Sequence, residues 1–215
     1  MITNIEEIKK KFNKNILLNE NLAKYNWFNL GGPAGIFFNP NYKEELINFL
    51  KLIKNKEKIF CLGAGSNTLI RDGGFDGVVI KLSSKFSYVN LLEDNVIEAG
   101  AATLDKKVSS FAQENELGGL EFLSCIPGSI GGAIIMNSGC YGEEISQYLI
   151  SIKVLDFNGR EIEIKKNQID FFYRGTSLPK DLIILSAKFK CKKMKKEKIN
   201  EIMNNFILKK KNTQP

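Results

Sequence analysis

Two glycine-rich runs, each beginning beside an apolar stretch, set the first limit on what this chain can fold into. Gly63-Ala-Gly-Ser-Asn-Thr-Leu-Ile-Arg-Asp-Gly-Gly74 follows Lys58-Ile-Phe-Cys-Leu62, which reads as a buried strand. Ile126-Pro-Gly-Ser-Ile-Gly-Gly-Ala133 comes after a helix that Gly118 and Gly119 break. Closely spaced glycines let a backbone turn sharply and approach a ligand, because no Cβ stands in the way. In the first run, successive N–H groups can form a concave nest for phosphate oxygens, and Ser66, Asn67 and Thr68 add side-chain donors. In the second, a helix starting near Gly131 would turn its first amides toward an anion. Neither run has the spacing of a Walker loop or a dinucleotide fingerprint. Each also has a plain structural use: a tight turn for the first, close helix–sheet packing for the second. Two such runs with no lysine among their glycines point to one pyrophosphate held mainly by backbone groups.

The apolar periodicity around these runs is mixed. Ile5, Ile8 and Phe12 predict a short amphipathic helix, and Leu46, Phe49, Leu50 and Ile53 another. Residues 35–38, 77–82, 95–99 and 182–190 read as strands. Thr103 is placed to cap a helix running to Asn115. Asn158-Gly159 between two alternating stretches predicts a hairpin with a tight primed turn. Residues 195–208 carry Ile199, Ile202, Met203, Phe206 and Ile207 on one helical face. A strand–helix–strand unit followed by strands with inserted helices argues an α+β protein of two lobes. The seam falls near residues 80–85, at Ser83-Ser84.

Composition excludes much chemistry. The 215 residues hold no histidine, so a Ser-His-Asp or Cys-His machine cannot be built, and the commonest metal ligand is missing. The four cysteines, Cys61, Cys125, Cys140 and Cys191, lack zinc-knuckle spacing, so no metal site is expected and buried free thiols are. The net charge of +7 is all in residues 190–211, with nine lysines and two glutamates, while the rest of the chain is balanced. A basic tail of this kind is a weak nucleic-acid signal, and no nucleic-acid partner is expected. No apolar run approaches the roughly 18 residues of a membrane span, and no signal peptide is evident. The expectation is a cytoplasmic protein without a membrane partner.

Only three arginines, Arg71, Arg160 and Arg174, stand against 28 lysines. Arg174, in Phe172-Tyr-Arg-Gly-Thr-Ser177, follows the hairpin and offers a planar fork to a carboxylate or enolate. Asn137, Ser138 and Tyr141 either line a cleft or satisfy a buried turn.

Taken together and in order, the two glycine runs, Met136-Asn-Ser-Gly-Cys-Tyr-Gly142, Tyr173-Arg174 and the opening Asn29-Leu-Gly-Gly-Pro-Ala34 resemble the UDP-N-acetylenolpyruvoylglucosamine reductase family, from about residue 25 to residue 215. The resemblance implies a two-lobed FAD-binding fold of the vanillyl-alcohol-oxidase (PCMH) type. Lobe 1 would span 1–82, lobe 2 83–194, and 195–215 would form a helix leading to a third, substrate domain. FAD would be tightly bound, with Gly63, Ala64, Gly65, Ser66, Asn67 and Leu69 of one loop, and Ile126, Pro127, Gly128, Ser129, Gly131, Gly132 and Ala133 of the other, as its contacts. NADPH would be the co-substrate and a UDP-sugar the substrate. The reaction would reduce UDP-N-acetylglucosamine enolpyruvate to UDP-N-acetylmuramate in peptidoglycan synthesis. Arg174 would be catalytic, stabilising negative charge that develops on the substrate, and Tyr173 would help shape the substrate pocket. The family's third domain, with its serine and glutamate, has no counterpart here, since the sequence stops at Asn212-Thr-Gln-Pro215. The expectation is an incomplete enzyme: a fragment of a full enzyme, half of a split enzyme whose third domain is supplied separately, or a flavin-binding remnant. The alternatives are an FAD-binding module without catalysis and a different flavin oxidoreductase on the same fold.

Overall fold

The computed structural model describes residues 5–53 and 57–213. The chain begins with helix α1 (Ile5–Phe12) and enters a four-stranded sheet of β1 (Ile16–Asn21), β2 (Pro33–Phe38), β3 (Ile59–Cys61) and β4 (Phe75–Ile80). The sheet order is β1-β2-β4-β3, with β1 antiparallel and the rest parallel. Helix α2 (Lys43–Ile53) makes the crossover between β2 and β3. It is helical for the reason its pattern gives: Leu46, Phe49, Leu50 and Ile53 all fall on the buried face. Glu44 and Glu45 in its first turn and Lys51 in its last complement the helix dipole. Phe49 stacks on Phe38 of β2 with ring centroids 4.1 Å apart, and Phe12 of α1 stands edge-on to both.

The second sheet is wholly antiparallel. It is built from β5 (Val89–Leu92), β6 (Val96–Gly100), β10 (Leu149–Asp156), β11 (Glu161–Lys165) and β14 (Leu182–Lys190), in the order β11-β10-β14-β6-β5. Between β6 and β10 the chain forms α3 (Asp105–Glu114), β7 (Leu117–Gly118), a 3-10 turn at Glu121–Cys125, α4 (Ile130–Ile135), β8 (Gly139–Cys140) and β9 (Glu143–Glu144). A two-residue hairpin joins β12 (Phe171–Phe172) to β13 (Gly175–Thr176). β15 (Lys192–Lys193) pairs with β7, and α5 (Lys196–Thr213) closes the chain against the 3-10 turn at 121–125 and α3.

The two sheets share an apolar core. Leu155 of β10 and Ile183 and Leu185 of β14 pack with Ile36, Phe38, Phe49 and Ile80 of the first sheet's layer. Ser83 is buried at the corner between the sheets and caps the 3-10 turn Ser84–Phe86, whose Phe86 enters the same core. A second cluster fills the space under α3, α4 and the antiparallel sheet.

Four local expectations differ from what is observed. Thr103 is not the cap of α3: its Oγ donates to the Tyr88 carbonyl at 2.9 Å, and Leu104 holds the cap position without a side-chain bond. The turn at 157–159 is not primed. Among the described residues only Gly159 there has a positive φ, +80°, and Gly159 N–H bonds to the Asp156 carbonyl at 2.9 Å. That is a three-residue loop with glycine in the left-handed position, and Asp156 Oδ1 accepts from the Asn158 and Arg160 amides. β3 lies at the sheet edge, so Ile59 and Phe60 are only half-buried. All four cysteines are free, but Cys61 is exposed.

Candidate functional site

The two glycine-rich loops are brought together. Ser66 Oγ donates to the Pro127 carbonyl at 2.5 Å, across 61 residues of sequence. Gly63 faces Ser129: a Cβ at Gly63 would lie 2.8 Å from the Ser129 hydroxyl. The first loop follows from β3, where Leu62 N–H donates to the Ile80 carbonyl at 2.8 Å, and is propped from below by residues 25–27. Gly65 has φ +74°, and a Cβ there would stand 2.2 Å from the Tyr25 carbonyl oxygen. Its own carbonyl accepts from Trp27 N–H at 3.1 Å. The glycines at 31, 32 and 74 serve packing of the 29–34 and 70–74 backbones on each other, with the Arg71 carbonyl accepting from both Gly32 and Gly74.

The second loop is stitched to residues 101–105. Ile130 N–H donates to the Thr103 carbonyl, Gly131 N–H to that of Ala101, each at 2.9 Å, and Asp105 N–H to that of Gly128 at 3.2 Å. The first two amides of α4 are therefore spent inside the protein, and α4 starts at Ile130 rather than Gly131. Gly128 is a glycine because a Cβ would lie 2.4 Å from Asp105 Oδ2. Asp105 is 1% exposed, neither carboxyl oxygen has a partner, and burial pushes its pKa up to about 8. Of the residues singled out in sequence, Gly63, Asn67, Leu69, Pro127 and Gly132 lie on the exposed side of the loops. Ala64, Ser66, Ile126, Gly128 and Gly131 are half-buried, and Gly65, Ser129 and Ala133 are covered.

Tyr173 and Arg174 form the tip of the β12–β13 hairpin. Arg174 adopts a left-handed φ of +57°, and its guanidinium lies 5.1 Å from the Tyr173 ring centroid. Both side chains are exposed. Asn137, 1% exposed, anchors this hairpin: Nδ2 donates to the Phe172 carbonyl at 3.3 Å and to Glu144 at 2.8 Å, and Oδ1 accepts from Ser146 N–H. Asn137 thus satisfies a buried turn. Tyr141 stacks on Phe206 of α5. Cys125, just before the second loop, has its Sγ 3.2 Å from that of Cys140. The Cys125 thiol is held below its usual range, first by its hydrogen bond with Cys140 and also by the Lys210 ammonium. α4, which the second loop opens, packs against β13 of this hairpin, so the hairpin and the second loop flank the same region.

Sequence reasoning missed two side chains here. Lys81, following β4, donates from its ammonium to the Gly63 carbonyl. Asp105 sits behind the second loop. A lysine ending a strand and an acid opening a helix are both commonplace in sequence, and only their placement sets them apart.

Comparison with known proteins decides what this arrangement belongs to. Residues 34–165 match the family described as FAD binding domain. The UDP-N-acetylenolpyruvoylglucosamine reductase of Pelagibacter ubique is 49% identical over 214 residues, covering 98% of this chain and 71% of that protein. The chain belongs to the UDP-N-acetylenolpyruvoylglucosamine reductase family. The crystal structure of that reductase from Thermus caldophilus superposes with a TM-score of 0.80 at 30% identity, over 93% of this chain and 70% of that one. Alkyldihydroxyacetonephosphate synthase, at a TM-score of 0.61 and 13% identity (88% of this chain, 40% of that one), shares the fold alone. The fold is therefore the two-lobed FAD-binding fold of the vanillyl-alcohol-oxidase type. The chain spans about seven-tenths of the reductases it matches. Among the described residues no helix is long and apolar enough to cross a membrane, and no group of three or more His, Cys, Asp or Glu side chains is placed to hold a metal ion.

Proposed function

We propose that the chain binds FAD where its two glycine loops meet and serves the reduction of UDP-N-acetylglucosamine enolpyruvate to UDP-N-acetylmuramate, with NADPH as electron source. The observation that carries the cofactor reading is the crossing itself. Ser66 meets Pro127 and Gly63 faces Ser129 with no room for a Cβ, so the two backbones present one surface rather than two. At Gly132 a Cβ would find no atom nearer than Ser129 Oγ at 3.8 Å, which leaves that backbone open to approach. A backbone surface with an uncompensated lysine beside it fits a diphosphate. Asn67 and Leu69 of the first loop lie on its open side.

Bound FAD would supply the hydride chemistry, which amino-acid side chains do not provide. The protein's part is to hold and orient. Gly65 and Gly128 fix the two loops against residues 25–27 and 105. Asn137 fixes the β12–β13 hairpin, so Arg174 projects from a tip whose base is tied down. Arg174 would receive the substrate carboxylate in bidentate fashion and stabilise the charge that develops there.

The test uses Trp27, the single tryptophan, which is 62% exposed and bonded to Gly65. After incubation with FAD and desalting, the chain is expected to retain flavin absorbance, and FAD titration should quench Trp27 emission. A folded chain that stays colourless and unquenched at saturating FAD sinks the cofactor reading. Arg174→Ala should leave FAD retention unchanged while weakening the UDP-sugar's perturbation of the flavin spectrum about 10- to 100-fold, the scale of a lost charge-assisted bond. Unaltered substrate affinity in that variant would remove Arg174 from the pocket.

A further inference from the structure

Lys81 reaches the first glycine loop from outside both runs. Its backbone is fixed by its N–H on the Phe38 carbonyl at 2.9 Å and by its carbonyl, which accepts from Asn39 Nδ2 at 2.5 Å. The side chain therefore leaves β4 in a set direction, toward the first loop, and its ammonium bonds to the Gly63 carbonyl. An ammonium carries three donors, and this bond uses one. Burial lowers its pKa, and among the described residues no carboxylate forms an ion pair with it. A cation partly withdrawn from water and without a counter-anion is unfavourable unless a ligand supplies one. It sits beside Gly63, the residue of the first loop that faces Ser129 of the second.

We infer that Lys81 is the cationic arm of the site, its ammonium neutralising a diphosphate where the two glycine loops cross, so that the site selects the dinucleotide flavin over uncharged riboflavin. This rests on the FAD reading above and adds a side-chain charge to a cradle otherwise made of backbone. The competing role for Lys81 is a tether that holds the Gly63 loop in place. A tether would matter equally for both flavins and would be indifferent to salt.

The experiment titrates FAD and riboflavin separately into the chain, followed by quenching of Trp27, for the wild type, Lys81→Met and Lys81→Arg. Lys81→Met is expected to weaken FAD about 10- to 100-fold, as for loss of a hydrogen bond to a charged group, and to leave riboflavin affinity unchanged. Lys81→Arg should retain most of the FAD affinity. Added salt should weaken FAD binding more steeply in the wild type than in Lys81→Met, with riboflavin indifferent in both, and Lys81→Gln gives the same comparison should the methionine variant not fold. Equal weakening of both flavins, or of neither, overturns the inference while the cofactor reading stands. A wild-type chain that binds neither flavin overturns both together.

Discussion

Gly65→Ala is expected to remove about 3–5 kcal/mol of folding stability, at the severe end for a single substitution. Two separate effects add at this position. Its φ of +74° is left-handed, which disfavours any residue with a Cβ by about 1–2 kcal/mol. The added carbon would also stand 2.2 Å from the Tyr25 carbonyl oxygen and 2.7 Å from Asn26 Cα, both backbone atoms that cannot rotate away. Relief requires the first loop to lift off residues 25–27, which breaks the Trp27 N–H bond to Gly65 and moves Ser66 from Pro127. FAD retention should be lost with it. Gly73, in the same run, is the control: nothing lies within 4 Å of its Cβ position and its φ is not left-handed. Gly73→Ala should stay within about 0.5 kcal/mol of the wild type. Urea unfolding of both variants reads the contrast, and equal stabilities would mean that the loop does not rest on residues 25–27.

The second large effect concerns Asp105 and depends on pH. In the unfolded chain this carboxyl loses its proton near 3.8, and in the folded protein burial holds the proton on up to about 8. Between those values the native state binds one proton more than the unfolded state, so stability falls as pH rises. The contribution is fully present below about pH 4, declines by at most about 1.4 kcal/mol per pH unit, and is gone above about 8. Asp105→Asn cannot titrate and removes that slope. Relative to the wild type, it should gain roughly 2–4 kcal/mol between pH 5 and pH 8, read as the difference of two urea midpoints. Parallel pH profiles for the two proteins would show that the carboxyl is solvated or paired in solution. A buried acid with both oxygens unpartnered lowers stability at neutral pH, and its position directly behind Gly128 puts that cost next to the second loop.

The elements legible in sequence are those whose information is local. α2 and the helix at 196–213 show their buried faces at helical spacing, and β10, β11 and β14 show themselves as apolar or alternating runs. β1 gives no such signal, because Ile16-Leu-Leu-Asn-Glu-Asn21 is a sheet-edge strand with a left-handed residue, Asn19, inside it. The glycine runs are visible as flexible, close-approach backbone, but sequence does not say which glycine touches what. Gly65 and Gly74 pack on backbone within the lobe, while Gly63 faces the other loop. Lys81 and Asp105 cannot be found by spacing at all. One is significant through the carbonyl it reaches and the counter-charge it lacks, the other through the water it has lost, and both properties arise only in the folded state.

The apolar core shared by the two sheets governs the order in which the protein can be completed. All four strands of the first sheet have been synthesised once residue 80 is made, so their hydrogen-bond ladder can form early. Its inner face is nevertheless covered in part by Leu155, Ile183 and Leu185. On a ribosome, Leu155 follows residue 80 by about 4–15 s and Ile183 and Leu185 by about 5–20 s at ordinary elongation rates. Through that interval the N-terminal sheet carries an incompletely covered apolar face, and it reaches its final burial only when β14 emerges to seal it. The last strand of the second sheet is thus the closing step of the first.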